Sequence, residues 1–138
     1  MDCGVIETAK GQAVEVRIRH IHDSVVQLIE RFHPDALAIE ELFFSKNITT
    51  GIAVAEARGV ILCTAHKLGI KISEYTPLQV KQAVVGYGRA EKKQIMYMVK
   101  TLLKLESEPK PDDTADALAI AICHGHCGGS RMAQYFNH

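Results

Sequence analysis

The sequence lacks the features that would place it in a membrane, outside the cell or in a disordered state. No apolar run approaches the roughly 18 residues that a membrane-spanning helix needs. The first residues, MDCG, do not lead into the apolar stretch of a signal peptide, and there is no repeat or low-complexity tract. Its four cysteines come without an export signal. We therefore interpret them as reduced thiols of a cytoplasmic protein.

Charge of one sign is not in excess either, since the 138 residues carry 16 basic and 16 acidic side chains. With 47% hydrophobic residues, the chain can build a core, and its length predicts a single domain over residues 1–138. The charges are nevertheless segregated. Residues 76–104 hold six basic side chains and one acidic, whereas residues 105–138 hold two basic and five acidic. This pattern is typical of a polyanion-binding surface beside a cation site, and two solvated helix faces are the alternative.

The spacing of apolar residues predicts an α/β fold. Residues 36–39 form a short continuous apolar run, typical of a strand buried on both faces, and residues 70–75 alternate as a second strand does. Residues 13–18 fit either a short strand or the start of a helix. Apolar residues at three- and four-residue steps predict a helix over about 17–32. Capping and stop signals predict helices over about 47–68, 76–86 and 112–124, and a further helix is expected over about 90–105, with Leu102 among its buried residues. Strands that alternate with helices indicate the α/β class.

Three carboxylates stand where they could converge. Glu40 ends the first strand, and Asp113 and Asp116 lie three residues apart, on one face at the start of the last helix. Such a group repels itself unless a divalent cation lies between its members, and hard oxygen ligands suit Mg²⁺ or Mn²⁺. Two such ions activate a water and stabilise the leaving oxygen in phosphodiester hydrolysis. Helix capping beside a solvated strand end is the alternative interpretation.

Two further groups have weaker signals. The run CHGHC at residues 123–127 contains ligands that zinc prefers, but its spacing does not match the usual pairs. Cysteines packed at a frayed helix end are therefore the favoured interpretation. Phe43 and its neighbour Phe44 are either core residues or present a ring for base stacking. The helix over 47–68 is apolar on most sides, which predicts a central position or a subunit interface.

Four segments, taken together and in this order, resemble the RuvC family of bacterial crossover junction endodeoxyribonucleases, which resolve Holliday junctions. They are AIEELFFSKN at 38–47, EARGV at 56–60, VKQAVVGYGRAEK at 80–92 and DTADALAIA at 113–121. The similarity runs from about residue 17 to residue 126 without a large gap. It implies a ribonuclease-H-like fold, in which a mixed sheet is flanked by helices.

The resemblance also implies an activity and an assembly. Family members are homodimers that bind a four-way DNA junction and cleave two opposed strands with Mg²⁺, using two ions in an intact site. Glu40, Asp113 and Asp116 match the metal-binding catalytic carboxylates of the family. The region 47–68 corresponds to the part that forms the dimer. A branch-migration motor complex is the implied partner protein.

The same resemblance implies a set of DNA contacts. Phe43 matches an aromatic residue near the junction centre, where it can stack on an unpaired base. Lys81 and Lys92 match basic positions that contact DNA and assist cleavage. We add Arg89 and Lys93 as DNA-binding candidates because they lie in the basic segment.

The chain departs from the family where it begins. Family members start with a strand that ends in a Gly-Ile-Asp-Pro-Gly motif, whose aspartate is the first metal ligand. Here residues 1–7 resemble the second strand of the family, and the short link to Arg17 predicts a reduced or missing third strand. Asp2 does not match the aspartate of that motif. Without it we expect a weakly held cation and slower cleavage, and a junction-binding protein that does not cut or a non-functional fragment are the alternatives.

Overall fold

The structure, a computed structural model, describes residues 2–41 and 48–128. The elements along these residues are α1 (Val14–Phe32), β1 (Ala36–Glu40), α2 (Ile48–Lys67), β2 (Lys71–Tyr75), α3 (Pro77–Val85), α4 (Lys92–Leu102) and α5 (Asp112–Gly128). The predicted α/β class is confirmed by this order. Among the residues described, no helix is long and apolar enough to cross a membrane.

The two strands form one small sheet whose strands end side by side. The backbone N–H of Glu41, the residue after β1, donates to the carbonyl oxygen of Tyr75 at the end of β2, with an N···O distance of 2.8 Å. Because the carboxyl end of β1 is bonded to the carboxyl end of β2, the two strands run in the same direction. The helix α2 lies in the crossover connection that a parallel pair requires. Glu40 and Tyr75 therefore stand at the same edge of the sheet.

The chain divides into two compact units. One comprises the described parts of Met1–Val5, Ala38–Glu41 and Glu74–His138, and the other comprises those of Ile6–Leu37 and Leu42–Ser73. In the second unit α1 packs against α2, and in the first α3, α4 and α5 pack against one another. The core of the first unit consists of Tyr75, Val80, Val84, Val99, Leu118, Ala119 and Cys123.

Capping interactions decide where α3 and α4 begin. The Gln79 backbone N–H donates to the Thr76 hydroxyl at 3.1 Å, and the Thr76 backbone N–H donates to the Gln79 side chain at 2.8 Å. This reciprocal pair is a capping box, and α3 ends at Gly86, whose left-handed backbone (φ 97°) suits glycine. A second capping box at Glu91 starts α4 and makes Lys92 its first residue.

The structure corrects several details of the sequence-based prediction. Of the two alternatives for residues 13–18, the start of a helix is confirmed, since residues 14–18 belong to α1. The segment 2–13, whose first residues resemble the second strand of the family, contains neither helix nor strand. The apolar residues of β1 are half-buried, whereas the sequence predicts a strand buried on both faces. Leu102 is 43% exposed while Val99 is fully buried, so the core-facing stripe of α4 is narrower than predicted.

Candidate active site

Glu40 and Asp116 line the same surface pocket of the first unit. Glu40 is the last residue of β1, and Asp116 lies one turn into α5, so residues far apart in sequence meet here. Lys81 of α3 also lines the pocket. The remaining lining is apolar and consists of Pro77, Val80, Ile95, Ala119 and Ile120. The pocket is thus lined by two acidic residues, one basic residue and five apolar residues.

Both carboxyl groups have a raised pKa. Partial burial is the main cause of the raised pKa of Glu40, and the negative charge of Asp116 adds to it. Burial is also the main cause for Asp116, whose pKa is then lowered by Lys92 and raised again by Asp113 and Asp112. The raised pKa values mean that partial burial, together with the neighbouring carboxylates, disfavours the ionised form of both groups. Carboxyl groups perturbed in this way, within a pocket, are typical of functional sites.

Lys92 places a positive charge beside the start of α5. Its Nζ lies 3.2 Å from Asp112 Oδ2 and 4.0 Å from Asp116 Oδ2. Hydrogen bonding to Asp112 is the main cause of the raised pKa of Lys92, followed by the charge of Asp116. All three side chains are about half exposed, so water screens these pairs and they hold the lysine only weakly. Lys92 can therefore leave the carboxylates for another anion at little cost.

Asp113 is placed differently from Asp116. It lies in the first turn of α5, is exposed and is not among the residues that line the pocket. Its charge nevertheless contributes to the raised pKa of Asp116. Within residues 2–41 and 48–128, no group of three or more potential ligands could hold a metal ion. The structure thus brings together two of the three predicted carboxylates, Glu40 and Asp116.

These two carboxylates fit a hard divalent cation. Mg²⁺ is commonly held in proteins by one or two carboxylates, and water and substrate phosphates complete its coordination. Glu40 and Asp116 offer oxygen donors in a pocket where partial burial, with a smaller contribution from neighbouring carboxylates, raises both pKa values. A divalent cation would stabilise the ionised form of both groups. The donor chemistry therefore matches the predicted Mg²⁺ or Mn²⁺.

Two of the predicted DNA-binding residues lie at this pocket or beside its carboxylates. Lys81 lines it, and Lys92 contacts two aspartates at its margin. Arg89, in the loop before α4, and Lys93, the second residue of α4, are exposed. Phe43 lies outside the described residues, so its stacking role stays a prediction. The basic side chains that approach the carboxylates are thus the two that the family resemblance had identified.

The segment 123–127 holds α5 in place. The Tyr75 hydroxyl and Nδ1 of His124 share a hydrogen bond of 2.6 Å, and Nδ1 of His126 donates to the Ala83 carbonyl oxygen at 3.2 Å. Cys123 is fully buried, and burial together with neighbouring Cys127 raises its pKa to about 12. Such a protonated thiol is a poor zinc ligand. The packed helix end is the interpretation that agrees with these contacts, and the Tyr75–His124 pair was not predicted.

Replacing Lys92 tests the ion pairs directly. We expect Lys92→Met to raise the pKa of Asp116 further, because the ammonium group lowers it in the intact protein. Lys93→Met removes the same charge from the next residue, for which the structure gives no contact with Asp116, and should leave that pKa nearly unchanged. An NMR titration of the aspartate carboxyl carbons in the metal-free protein measures both. Identical titration of Asp116 in the two variants would contradict the pairing.

Comparison with known proteins gives matches along most of the chain. The sequence model for the family described as Crossover junction endodeoxyribonuclease RuvC matches residues 1–124. A curated protein with that description from Alkaliphilus metalliredigens is 56% identical over 128 residues, which are 93% of this chain and 78% of that protein. Its counterpart from Ruminiclostridium cellulolyticum is 54% identical over 126 residues, 91% of this chain and 76% of that protein.

Solved structures give the same result for the fold. A structure described as T. thermophilus RuvC in complex with Holliday junction substrate superposes with a TM-score of 0.86 at 37% identity, covering 91% of this chain and 76% of that chain. A second, described as Thermus thermophilus RuvC structure, gives a TM-score of 0.84 at 35% identity over 98% of this chain and 78% of that one. The fold is thus similar across nearly all of the present sequence.

Proposed function

Because the chain belongs to the RuvC family of crossover junction endodeoxyribonucleases, we propose that it resolves four-way DNA junctions by Mg²⁺-dependent hydrolysis of phosphodiesters. Family membership confirms the resemblance seen in the sequence and the ribonuclease-H-like fold. The observation that carries the proposal is the convergence of Glu40 and Asp116 in one pocket that Lys81 also lines. A structural relative is described as bound to a Holliday junction substrate.

In this proposal Glu40 and Asp116 hold the cation, either Mg²⁺ or Mn²⁺. When bound, the ion supplies an activated water and stabilises the leaving oxygen. Asp113, one turn before Asp116, adds negative charge that strengthens the attraction for a cation. Both carboxylates are partly buried among the apolar lining residues, where their electrostatic interactions are stronger than in bulk solvent.

Lys81 and Lys92 neutralise phosphates next to the cation. Lys81 lines the carboxylate pocket, so a phosphodiester that reaches the cation also comes within reach of this ammonium group. Lys92 is weakly held by exposed aspartates and can turn to a phosphate once a cation replaces its charge. We propose that exposed Arg89 and Lys93 extend this basic surface along the DNA, and that Phe43 stacks on a base at the junction centre.

Lys81→Ala is expected to weaken binding to junctions of every sequence. The slope of log affinity against log salt concentration should become shallower by about one, which corresponds to the loss of one phosphate contact. Fluorescence anisotropy with a labelled four-way junction, in Ca²⁺ and at several salt concentrations, measures both quantities. Lys71→Ala, at an exposed position at the start of β2, is the matched control and should behave as the wild type. Unchanged affinity and unchanged salt slope in Lys81→Ala would contradict the proposed contact.

We propose further that two copies associate through the region 47–68. On α2, Ile52 and Val54 are 53% and 50% exposed in the single chain, which supports an apolar contact surface. Two copies would supply the two pockets that cleavage of two opposed strands requires. Sedimentation equilibrium is expected to give a dimer, and a monomer at every concentration would contradict the assembly. A branch-migration motor complex is the proposed partner protein.

The second candidate function is binding to junctions without cleavage. It is favoured by one observation, the lack of a three-ligand group among the described residues. Both candidates are tested by incubating the chain with a synthetic four-way junction in Mg²⁺, Mn²⁺ or Ca²⁺. We expect binding in all three and cleavage in Mg²⁺ and Mn²⁺. A junction that is bound but uncut in all three would contradict the nuclease and support the binding protein.

A further inference from the structure

We infer that Tyr75 and His124 are positioning residues, which set the α5 helix and its Asp116 against the strand end that bears Glu40. The inference rests on the proposed cation-dependent cleavage, because that chemistry requires the two carboxylates to keep a fixed separation. Neither residue lines the pocket. They would act on the site indirectly, by setting the positions of β1, which carries Glu40, and α5, which carries Asp116.

The main chain of Tyr75 is hydrogen-bonded to the residue that follows β1. Its carbonyl oxygen accepts the hydrogen bond from the Glu41 N–H, at 2.8 Å, and Glu41 directly follows Glu40. Tyr75 is itself 9% exposed and belongs to the core of the first unit. The position of Glu40 is therefore linked, through one peptide group, to a residue that is packed in the core.

The side chain of Tyr75 is hydrogen-bonded to α5. Its hydroxyl shares a hydrogen bond of 2.6 Å with Nδ1 of His124, and the two rings meet edge to face with centroids 5.8 Å apart. His124 follows Asp116 by eight residues on the same helix, which is about 12 Å along its axis. Tyr75 thus holds the strand end through its main chain and the helix through its side chain.

Other contacts of this part of α5 reach a different element. The Cys123 thiol donates to the Gln79 carbonyl oxygen at 3.7 Å, and His126 donates to that of Ala83 at 3.2 Å, so both fasten α5 to α3. Loss of the Tyr75–His124 bond would leave α5 packed on α3 but less firmly placed relative to Glu40. Misplacement by about 1 Å can cost about 100-fold in catalysis.

The test compares single-atom and conservative substitutions. Tyr75→Phe removes the hydroxyl and keeps the ring in the core, and His124→Gln keeps a polar partner for that hydroxyl whereas His124→Leu does not. We measure Mn²⁺ affinity of the DNA-free chain by electron paramagnetic resonance, junction affinity in Ca²⁺, and the free energy of unfolding. Tyr75→Phe and His124→Leu should lose roughly tenfold in Mn²⁺ affinity, as outer-shell changes do, with junction affinity unchanged and His124→Gln nearer the wild type.

His126→Ala is the matched control, since it removes a hydrogen bond of the same helix to α3. It should leave Mn²⁺ affinity unchanged. Wild-type affinity in Tyr75→Phe, or an equal loss in His126→Ala, would overturn the positioning role while leaving the proposed function standing. If instead Asp116→Asn binds Mn²⁺ as well as the wild type does, the proposed site is wrong and the inference falls with it.

Discussion

Asp116→Asn is expected to slow junction cleavage severely and to leave junction binding intact. Asparagine has nearly the same shape but lacks the charge that would hold a cation beside Glu40, and the rate should fall by about 100-fold or more. The side chain is 51% exposed, so its replacement need not disturb the core. Single-turnover cleavage of a labelled four-way junction in Mg²⁺ measures the rate, and anisotropy in Ca²⁺ measures binding.

Asp23→Asn serves as the control for that experiment. Asp23 is an exposed acid of α1, 3.8 Å from Arg19 in a surface ion pair and outside the first unit. Its replacement should change neither cleavage nor binding. Retention of the wild-type rate in Asp116→Asn would contradict the placement of the cation at this carboxylate, whereas loss of both activities would indicate that the variant is misfolded.

The second large effect concerns pH. Glu40 and Asp116 have pKa values raised above the ordinary 4.5 and 3.8, and a cation must displace any proton they carry. Below the raised pKa values, the apparent metal affinity should fall by up to about tenfold per pH unit for each carboxylate that must ionise. A Mn²⁺ titration of the DNA-free chain at a series of pH values, from neutral to acidic, measures this slope. Affinity that stays constant on acidification would contradict the role of these groups.

The raised pKa values of Glu40 and Asp116 also predict how stability depends on pH. An ion-paired acid with a lowered pKa stabilises the folded state as pH rises, and these two groups should do the opposite. When the folded pKa of a carboxyl is raised, the folded state binds more protons than the unfolded state, so stability falls as pH rises from the unfolded pKa through the folded pKa. At neutral pH the ionised Asp116 therefore destabilises the metal-free chain. We expect Asp116→Asn to raise the free energy of unfolding at neutral pH, with the gain vanishing below pH 3.8, the ordinary pKa of the group. A loss of stability at neutral pH would contradict the raised pKa.

The elements that carry the pocket could be predicted because their signals are local. An apolar run that ends in Glu40 indicates a strand whose carboxylate is left at its end, and three-residue spacing places Asp113 and Asp116 on one side of a helix. Thr76 and Pro77 indicate the start of α3, and the structure shows the capping box there. These signals depend on residues a few positions apart, which is the range that sequence patterns cover.

The remaining details depend on tertiary packing. Asp116 lines the pocket and Asp113 does not, because of the rotation of α5 about its axis. The packing of α5 against α3 sets that rotation. The Tyr75–His124 bond joins residues 49 positions apart, so no periodic pattern could reveal it. Leu102 follows the apolar period of α4 but lies at its exposed end, where described residues do not cover it fully. Each of these outcomes requires the positions of several elements at once.

The most direct test of the proposed function is a strand-by-strand cleavage assay. The unmodified chain is mixed in Mg²⁺ with a four-way junction whose four strands are labelled in turn, and with a linear duplex of matched sequence. We predict paired nicks at symmetric positions in two opposed strands of the junction, and an intact duplex. A junction that stays intact while bound, or a duplex cut as fast as the junction, would contradict resolution by the pocket of Glu40 and Asp116.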